Sequence, residues 1–567
     1  FLDYLVKEDR KWYLKLTDAF FILASAGSII YILSIDSTID LRSGLIYTYD
    51  ILFAVLLVLT LIEATRRAVG NSLAIVVICF ILYGFFGMYM PGFLAHAGMD
   101  ISRLTSVVYL GTDGIYGTAI YASASYIVLF VILGAVFNET GVGDYFTKLA
   151  SRAFGKFRGG PAKIAVVASG LFGSISGSAI ANVIGTGTFT IPMMKKCGFE
   201  DEYAAAVEAS ASTGGQIMPP VMGSAAFLIA ESVGISYSQL MLVALIPALL
   251  YFSGIWIMVD FEARRKGLKG LPREKLPPAR PLLLQKGHLV LPLAAIIYFM
   301  LSGFTITRSA LWGIAIAALV PFLRKSTWVS PKQILEALPL AARNIVSVAT
   351  ACSTAGIIVG MVTLTGLGQR IGGGMFQVVG GNVFLGLMCA MITSLVLGMG
   401  VSTTSNYIIT STVAAPILIH LGIPLLAAHM FCFYFGIIAD ITPPVALAAY
   451  AGSAIAKGNP FKTGVNASKL AIAAFLVPYM FALNPKLIMI DGTFLEALPM
   501  IATALVGLFG IGGGLIGYID APIESYWRLL MIAGGLGLLI PGTVSDLIGA
   551  AVILAVYFFT RRKRASG

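Results

Sequence analysis

Long apolar runs dominate this sequence. Residues 51–62, 127–137 and 547–559 each sit in windows approaching 20 residues with at most one charge. A helix of about 20 apolar residues crosses the roughly 30 Å hydrocarbon layer of a bilayer. Only 11% of the 567 residues are charged and 58% are hydrophobic, whereas a soluble domain carries about 25% charged residues. The sequence therefore predicts an all-α polytopic membrane protein, and it excludes a soluble enzyme, a disulfide scaffold and a nucleic-acid binder.

Basic clusters predict which ends of these runs face the cytoplasm. Lys and Arg outnumber Asp and Glu by 38 to 27, and we interpret the excess as orientation of a membrane protein rather than as an acidic partner. The clusters border the spans predicted near 17–34 and 47–64, fill the loop 265–286 and end the chain. Their residues are Lys7, Arg10, Lys11, Lys15, Arg66, Arg67, Arg264, Arg265, Lys266, Lys269, Arg273, Lys275, Arg280, Lys286, Arg561, Arg562, Lys563 and Arg564. The C-terminus is predicted to be cytoplasmic.

Two segments enter and leave the membrane by the same side if these clusters are all cytoplasmic. Residues 164–194 have a Gly-Ser-rich interior, and residues 383–420 contain the polar stretch 398–406. Non-helical backbone at membrane depth is tolerated only where protein or a cavity satisfies its polar groups. We therefore predict two re-entrant hairpins, the first opening to the cytoplasmic side and the second to the outside.

The two hairpins belong to an internal repeat. Asn406 follows Asn182 by 224 positions, and the pattern Ser-x3-Asn-x3-Thr-x-Thr-x3-Pro followed by Pro-Pro-Val occurs twice on that offset without insertion. Eight identities on one offset indicate duplication. Because the predicted entry sides are opposite, the repeat is predicted to be inverted, as in many secondary transporters.

Each copy also contains a Pro-Pro pair inside an apolar stretch. Pro219-Pro220 interrupts 203–231, and Pro443-Pro444 interrupts 427–456. Proline removes a backbone donor, so each stretch is predicted to break into two half-helices whose free ends bind ions. A kink without a ligand is the alternative. Asp440 marks an ion or proton path, or caps the freed amides, where the first copy has Gln216. Glu208 lies early in its segment, within expected reach of a headgroup or cavity.

These motifs resemble those of a known transporter family. The sequences GSISGSAIANVIGTGTFTIPMMKK, ASASTGGQIMPPVMG and ADITPPVALAAYA look like the large membrane subunit of the tripartite ATP-independent periplasmic (TRAP) transporters, over about 100–485. A small-subunit region on the same chain resembles the fused permeases of the TAXI type, in which that region has about four helices against three before residue 98 here. The resemblance implies five segments: small-subunit-like scaffold helices 1–98, a first repeat 99–264, a cytoplasmic linker 265–286, a second repeat 287–485 and extra membrane helices 486–567.

The resemblance also implies a function. TRAP permeases of bacteria and archaea take up small organic acids through the cytoplasmic (inner) membrane by an elevator movement. A periplasmic solute-binding protein delivers the substrate, and an ion gradient, usually sodium, supplies the energy. The implied sodium ligands lie near the hairpin tips: Ser176, Ser178, Asn182, Gly214, Met218, Gly400, Ser402, Asn406, Asp440 and Thr442. The implied substrate-binding residues are Ser174, Ser178, Asn182, Thr404 and Asn406.

Alternatives from other classes stay open. An ion-coupled dicarboxylate-type carrier of related architecture works without a binding protein, and protons replace sodium in some such systems. An intramembrane enzyme needs a nucleophile–base or metal constellation, which we do not find in the sequence. The single Gly-Lys pair lacks the spacing of a phosphate-binding loop, and the five cysteines are scattered. We therefore expect a transporter without a cofactor rather than an enzyme.

Overall fold

The computed structural model describes residues 11–39, 45–540 and 542–566. Within these residues the regular structure is helical, which confirms the predicted fold class. Eleven helices are long and apolar enough to cross a membrane. Of the residues used above to predict orientation, Lys7 and Arg10 lie outside the described residues, as do the side chains of Arg562, Lys563 and Arg564.

The helices are numbered in chain order. The first half contains α1 Trp12–Ile35, α2 Thr48–Ala68, α3 Asn71–Phe86, α4 Ile101–Leu110, α5 Thr118–Glu139, α6 Val142–Phe154, α7 Gly160–Ser176, α8 Ala179–Lys196, α9 Asp201–Gly215, α10 Ser224–Val233 and α11 Tyr237–Arg265. The second half contains α12 Ala279–Leu301, α13 Ile306–Leu323, α14 Pro331–Thr365, α15 Leu367–Val379, α16 Val383–Gly398, α17 Thr403–His420, α18 Leu425–Ile438, α19 Leu447–Ala456, α20 Pro460–Leu483, α21 Phe494–Ile516, α22 Ser525–Gly537 and α23 Thr543–Ser566.

Helix boundaries repeat on the offset found in the sequence. Helix α17 begins and ends 224 residues after α8, and α18 begins 224 residues after α9. Helix α19 follows α10 by 223 residues at both ends. Each predicted hairpin is two helices flanking a short break, and each proline-containing stretch is two half-helices, α9–α10 and α18–α19. The duplication therefore extends from sequence identities to secondary structure.

Two details differ from the sequence analysis. The basic linker is helical from Ala279 onward, where α12 begins. Of the extra C-terminal helices, α21 and α23 are long enough to span a membrane, but α22 has only 13 residues. Its C-terminal part is rich in glycine (Gly534, Gly535 and Gly537), and glycine weakens a helix interior.

The chain divides into two compact units. The first unit contains Phe1–Val128, Ala342–Thr393 and Thr404–Gly422. Inside it, α2 is fixed to α14 by polar contacts: the Thr65 and Thr354 hydroxyls lie 2.5 Å apart, and the Ser347 hydroxyl donates to the Ala68 carbonyl at 3.1 Å. Buried hydroxyl pairs of this kind fix the packing of apolar helices.

The second unit contains Leu129–Ala341, Ser394–Thr403 and Ile423–Gly567. Within it, α21–α23 pack on α11 around an apolar cluster that includes Phe261, Met531 and Ile553. At the end of α11, Arg264 pairs with Asp520 at 2.9 Å. The extra C-terminal helices are therefore an integral part of this unit.

Candidate functional site

The tip of the first hairpin rests on the break between α9 and α10. The Ser174 carbonyl accepts hydrogen bonds from the Val221 and Met222 amides, at 3.1 and 3.2 Å. Gly177 has φ +64°, and a Cβ built on it lies 2.7 Å from the Met222 carbonyl oxygen. Only glycine fits this contact, which explains the glycine at the tip.

A pair of glycines brings the hairpin and the broken helix into backbone contact. A Cβ built on Gly173 of α7 lies 2.6 Å from the Gly215 Cα and 2.6 Å from the Asn182 Nδ2. That Nδ2 donates to the Ser169 carbonyl at 2.8 Å, so Asn182 joins the two arms of the hairpin. Its amide nitrogen is therefore occupied structurally, and its oxygen accepts from the Thr186 hydroxyl at 3.2 Å.

The other residues predicted in the first copy lie on the same two segments. The Ser178 hydroxyl accepts from the Ala181 amide at 3.4 Å, at the start of α8. The Gly214 carbonyl accepts from the Ile217 amide at 3.1 Å, and the Met218 amide donates to the Gly215 carbonyl at 3.3 Å. The Ser176 hydroxyl is buried without a hydrogen-bond partner. Of these predicted ligands, the Ser176 hydroxyl therefore has the clearest spare hydrogen-bonding capacity.

The second copy is divided between the two units. Gly400, Ser402, Asp440 and Thr442 belong to the second unit, whereas the buried residues Thr404 and Asn406 belong to the first. Gly400 has φ +74°. The Thr442 hydroxyl donates to the Ile438 carbonyl of its own helix at 2.8 Å.

Asp440 lies in the break of the second copy and is 7% exposed. Its carbonyl accepts from the Ala448 amide at 2.9 Å, which closes the break. Among the described residues, no backbone amide donates to the Asp440 carboxylate and no cationic side chain pairs with it. The geometry thus gives no support to the capping alternative.

Residues at equivalent positions of the two copies meet. The Thr403 hydroxyl, at the tip of the second hairpin, donates to the Gln216 Oε1 at 2.5 Å. The fully buried Gln216 side chain also interacts with the Asp440 carboxylate, although its Nε2 makes no hydrogen bond within 3.5 Å. The break of the first copy therefore contacts the tip of the first hairpin, the tip of the second hairpin and the break of the second copy.

Ion pairs fix the connection between α8 and α9, at the end of the hairpin away from its tip. Lys195 pairs with Asp201 at 3.1 Å, and Lys266 pairs with Glu200 at 2.7 Å. The hydrogen bond and charge of Lys266 hold the pKa of Glu200 below its ordinary value. These pairs are partly exposed, so they contribute little to stability but fix the loop to the end of α11.

Sequence reasoning missed three residues of this region. Gln216 was considered only as the neutral counterpart of Asp440, and Thr403 was not considered. The expectation for Glu208, that it reaches a headgroup or cavity, is wrong: its side chain is fully buried between α7, α8 and α9. Its polarity in an apolar segment was the available signal, but its burial depends on which helices pack around it.

Paired hairpins and paired broken helices in a multi-pass helical chain define a membrane transporter of repeat architecture. The family model for the DctM component of the tripartite ATP-independent periplasmic transporters matches residues 56–495. The chain therefore belongs to the DctM family, which is a family of transporter permeases.

Individual relatives agree with this assignment. The C4-dicarboxylate TRAP transporter large permease protein DctM of Pseudomonas aeruginosa is 26% identical over 384 residues, covering 65% of this chain and 87% of that protein. The 2,3-diketo-L-gulonate TRAP transporter large permease protein YiaN of Escherichia coli is 25% identical over 367 residues, covering 63% and 83%. The uncharacterized protein y4mL of Sinorhizobium fredii is 28% identical over 203 residues, covering 35% of this chain, and the match spans about half (48%) of that relative.

Proposed function

We propose that this chain is the membrane permease of an ion-driven, ATP-independent uptake system for a small organic acid. A periplasmic solute-binding protein of the TAXI type delivers the substrate, and sodium entry supplies the energy. The observation that carries the proposal is the convergence of both hairpin tips on the break between α9 and α10, inside the segment that matches the DctM family.

Sodium suits the chemistry of the two tips. Hard monovalent cations prefer oxygen ligands, and the ends of broken helices offer carbonyl oxygens. The buried Ser176 hydroxyl has spare capacity in the first copy. In the second copy Asp440 carries a negative charge without a cationic side chain beside it, among the described residues. The proposed sodium ligands are those predicted from the sequence.

A carboxylate substrate suits the same region. The relatives named above are described as transporters of C4-dicarboxylates and of 2,3-diketo-L-gulonate, which are carboxylate anions. The N-terminus of α8 follows the first hairpin tip, and helix N-termini attract anions. We therefore assign substrate binding to Ser174, Ser178, Asn182, Thr404 and Asn406.

The scaffold and the orientation complete the proposal. Helices α1–α3 act as a fused small-subunit-like scaffold, supported by the polar contacts that fix α2 to α14. The hairpins and broken helices move as an elevator in the cytoplasmic membrane, with the C-terminus in the cytoplasm. The five sequence segments ending at 98, 264, 286, 485 and 567 stay our proposed domain boundaries.

Reconstitution tests the proposal. The purified protein is placed in proteoliposomes with the solute-binding protein encoded beside its gene, and uptake of labelled C4-dicarboxylates and sugar acids is measured. We expect uptake only with an inward sodium gradient and the binding protein, and none on replacing sodium with choline. Uptake without the binding protein favours the stand-alone dicarboxylate-type carrier. Uptake driven by ATP alone contradicts the proposal.

A further inference from the structure

Glu208 lies in a cradle of hydroxyl groups. Its Oε1 accepts hydrogen bonds from Ser169 at 2.6 Å, Thr186 at 2.5 Å and Ser212 at 3.3 Å, and its Oε2 accepts from Thr190 at 2.5 Å. The side chain is fully buried. Four donors satisfy a carboxylate without any ion pair, which is an unusual solution to the cost of a buried charge.

No cation balances this carboxylate in the part of the chain that the structure describes. The helices packed against α9 are α7, α8, α11, α19 and α20. Their titratable side chains bind elsewhere or are exposed: Lys163 with Asp260, Lys195 with Asp201, Tyr237 with Val221, Tyr251 with Ser210, Tyr450 with Pro444, and the exposed Lys196, Lys462 and Lys469. The charge state of Glu208 thus depends on the hydroxyl groups alone.

The oxygen spacing favours a proton over a metal cation. A cation held at about 2.4 Å from each oxygen ligand spaces neighbouring ligand oxygens by roughly 3.4 Å. The three shortest oxygen–oxygen distances around Glu208 are 2.5–2.6 Å, which is the range of a shared hydrogen.

The hydroxyl groups can satisfy both protonation states. The Thr190 hydroxyl also lies 3.1 Å from the Thr186 carbonyl, and the Thr186 hydroxyl lies 2.8 Å from the Asn182 carbonyl. When water supplies a proton to Oε2, the Oε2–H donates to the Thr190 oxygen, and the Thr190 hydrogen turns to the Thr186 carbonyl. When the proton returns to water, the hydroxyl turns back. A hydroxyl both donates and accepts, so no buried group loses its partner in either state.

We propose that Glu208 is a proton-binding site of the transport cycle, coupled to the first hairpin tip through Thr186 and Asn182. Thr186 contacts both the Glu208 carboxylate and the Asn182 side chain, and Asn182 joins the two arms of the hairpin. Binding of a proton thereby changes the hydrogen bonds that hold the tip. This inference rests on the proposed function, to which it adds a second coupling ion.

The second copy of the repeat lacks this cradle. The positions equivalent to Glu208, Thr190 and Ser212 are Cys432, Ala414 and Gly436. A proton-binding site therefore arises in one copy only, which provides a matched comparison. Thr410, the equivalent of Thr186, donates only to carbonyls of its own helix, Asn406 at 2.9 Å and Tyr407 at 3.2 Å.

The test titrates the protein itself, with protons as the probe. Infrared difference spectra of the protein in liposomes are recorded between about pH 5 and about pH 9. We expect a band of a protonated carboxyl group that is lost in Glu208→Gln and retained in Asp440→Asn. Thr190→Val removes the donor to Oε2, so the band is expected at a pH higher by about one unit or more. Thr410→Val leaves the titration at its wild-type position.

Two outcomes overturn the inference. One is a spectrum without a titrating carboxyl band, or a band that persists in Glu208→Gln and is unmoved in Thr190→Val. The other is loss of sodium-dependent thermal stabilisation in Glu208→Gln, which makes Glu208 a cation ligand. Because the titration needs no substrate, failure of uptake in every variant and in the wild type counts against the proposed function alone. In the uptake assay, the inference requires that Glu208→Gln lose the pH dependence of the wild type.

Discussion

Replacing Asp440 with Asn tests the second ion site directly. The substitution keeps the size of the side chain and one carbonyl oxygen but removes the charge. Asp440 is 7% exposed, and among the described residues its only side-chain interaction is with the neutral Gln216. An uncompensated buried carboxylate costs several kcal/mol, which a bound cation repays. We therefore expect sodium to stabilise the wild type through Asp440.

The magnitude follows from ligand linkage. Sodium at 100 times its Kd stabilises the folded protein by about 2.7 kcal/mol. Loss of one charged ligand costs about 1.5–3 kcal/mol, which weakens binding by roughly 10- to 100-fold. With a 100-fold weaker Kd at the same sodium concentration, the stabilisation falls to about 0.4 kcal/mol. Asp440→Asn should therefore lose most of the sodium-dependent stabilisation.

Thermal unfolding of the purified protein in NaCl and in choline chloride measures this effect. Ionic strength is held constant, so the difference between the two salts reports sodium binding rather than screening. Thr442→Val is the matched control: its hydroxyl already donates within its own helix, so loss of that hydroxyl should leave most of the sodium effect. In the uptake assay, Asp440→Asn should need much more sodium.

Equal sodium stabilisation in Asp440→Asn and the wild type would refute this reasoning. If the variant also lost the pH dependence of uptake, Asp440 would carry a proton instead of facing a cation. Unaltered sodium and pH dependence together would show that Asp440 is not a coupling residue, and would restore the capping alternative despite the geometry of the break.

Three further predictions concern the contacts that assemble the site. Thr403→Val leaves the buried Gln216 oxygen without its donor, so stability should fall by about 1–3 kcal/mol; the double variant Thr403→Val/Gln216→Leu should recover most of that loss, and additive losses in thermal unfolding would disprove the coupling. Gly173→Ala drives a Cβ into the Gly215 backbone and should destabilise by about 1–3 kcal/mol, whereas Gly373→Ala, with open space around its Cβ, should not destabilise; similar melting temperatures for the two variants would contradict the close contact. Lys196→Cys and His420→Cys, at equivalent exposed helix ends, should react with an impermeant maleimide from the cytoplasm and the periplasm respectively in a background without the five native cysteines; labelling of both from one side would refute the inverted orientation.

The fold was predictable where local chemistry decides it. Proline cannot continue a helix, so Pro219-Pro220 and Pro443-Pro444 marked both breaks. The observed half-helices α9–α10 and α18–α19 span 201–233 and 425–456, within two residues of the predicted stretches. Glycine and serine marked the first hairpin tip for the same local reason. These signals act within a few residues, and the 224-residue offset made each copy a check on the other.

Contacts between distant segments were not predictable from such signals. Thr403 and Gln216 are 187 positions apart, and nothing in either local sequence specifies the other. The cradle of Glu208 draws hydroxyl groups from α7, α8 and α9, each unremarkable in its own helix. Serine and threonine in apolar helices usually bond to their own backbone, so only the packing distinguishes a carboxylate ligand from a helix-bound hydroxyl.

The asymmetry of the two copies has a physical reason. A second acid at position 216 would interact with Asp440, and two adjacent buried carboxylates cannot both ionise. A second acid at position 432 would lack the donors that Thr190 and Ser212 supply to Glu208, because Ala414 and Gly436 stand in their places. Either symmetric solution therefore leaves a buried charge without compensation. One acid per copy, at different positions of the broken helix, is the arrangement that lets a duplicated frame bind two ions independently.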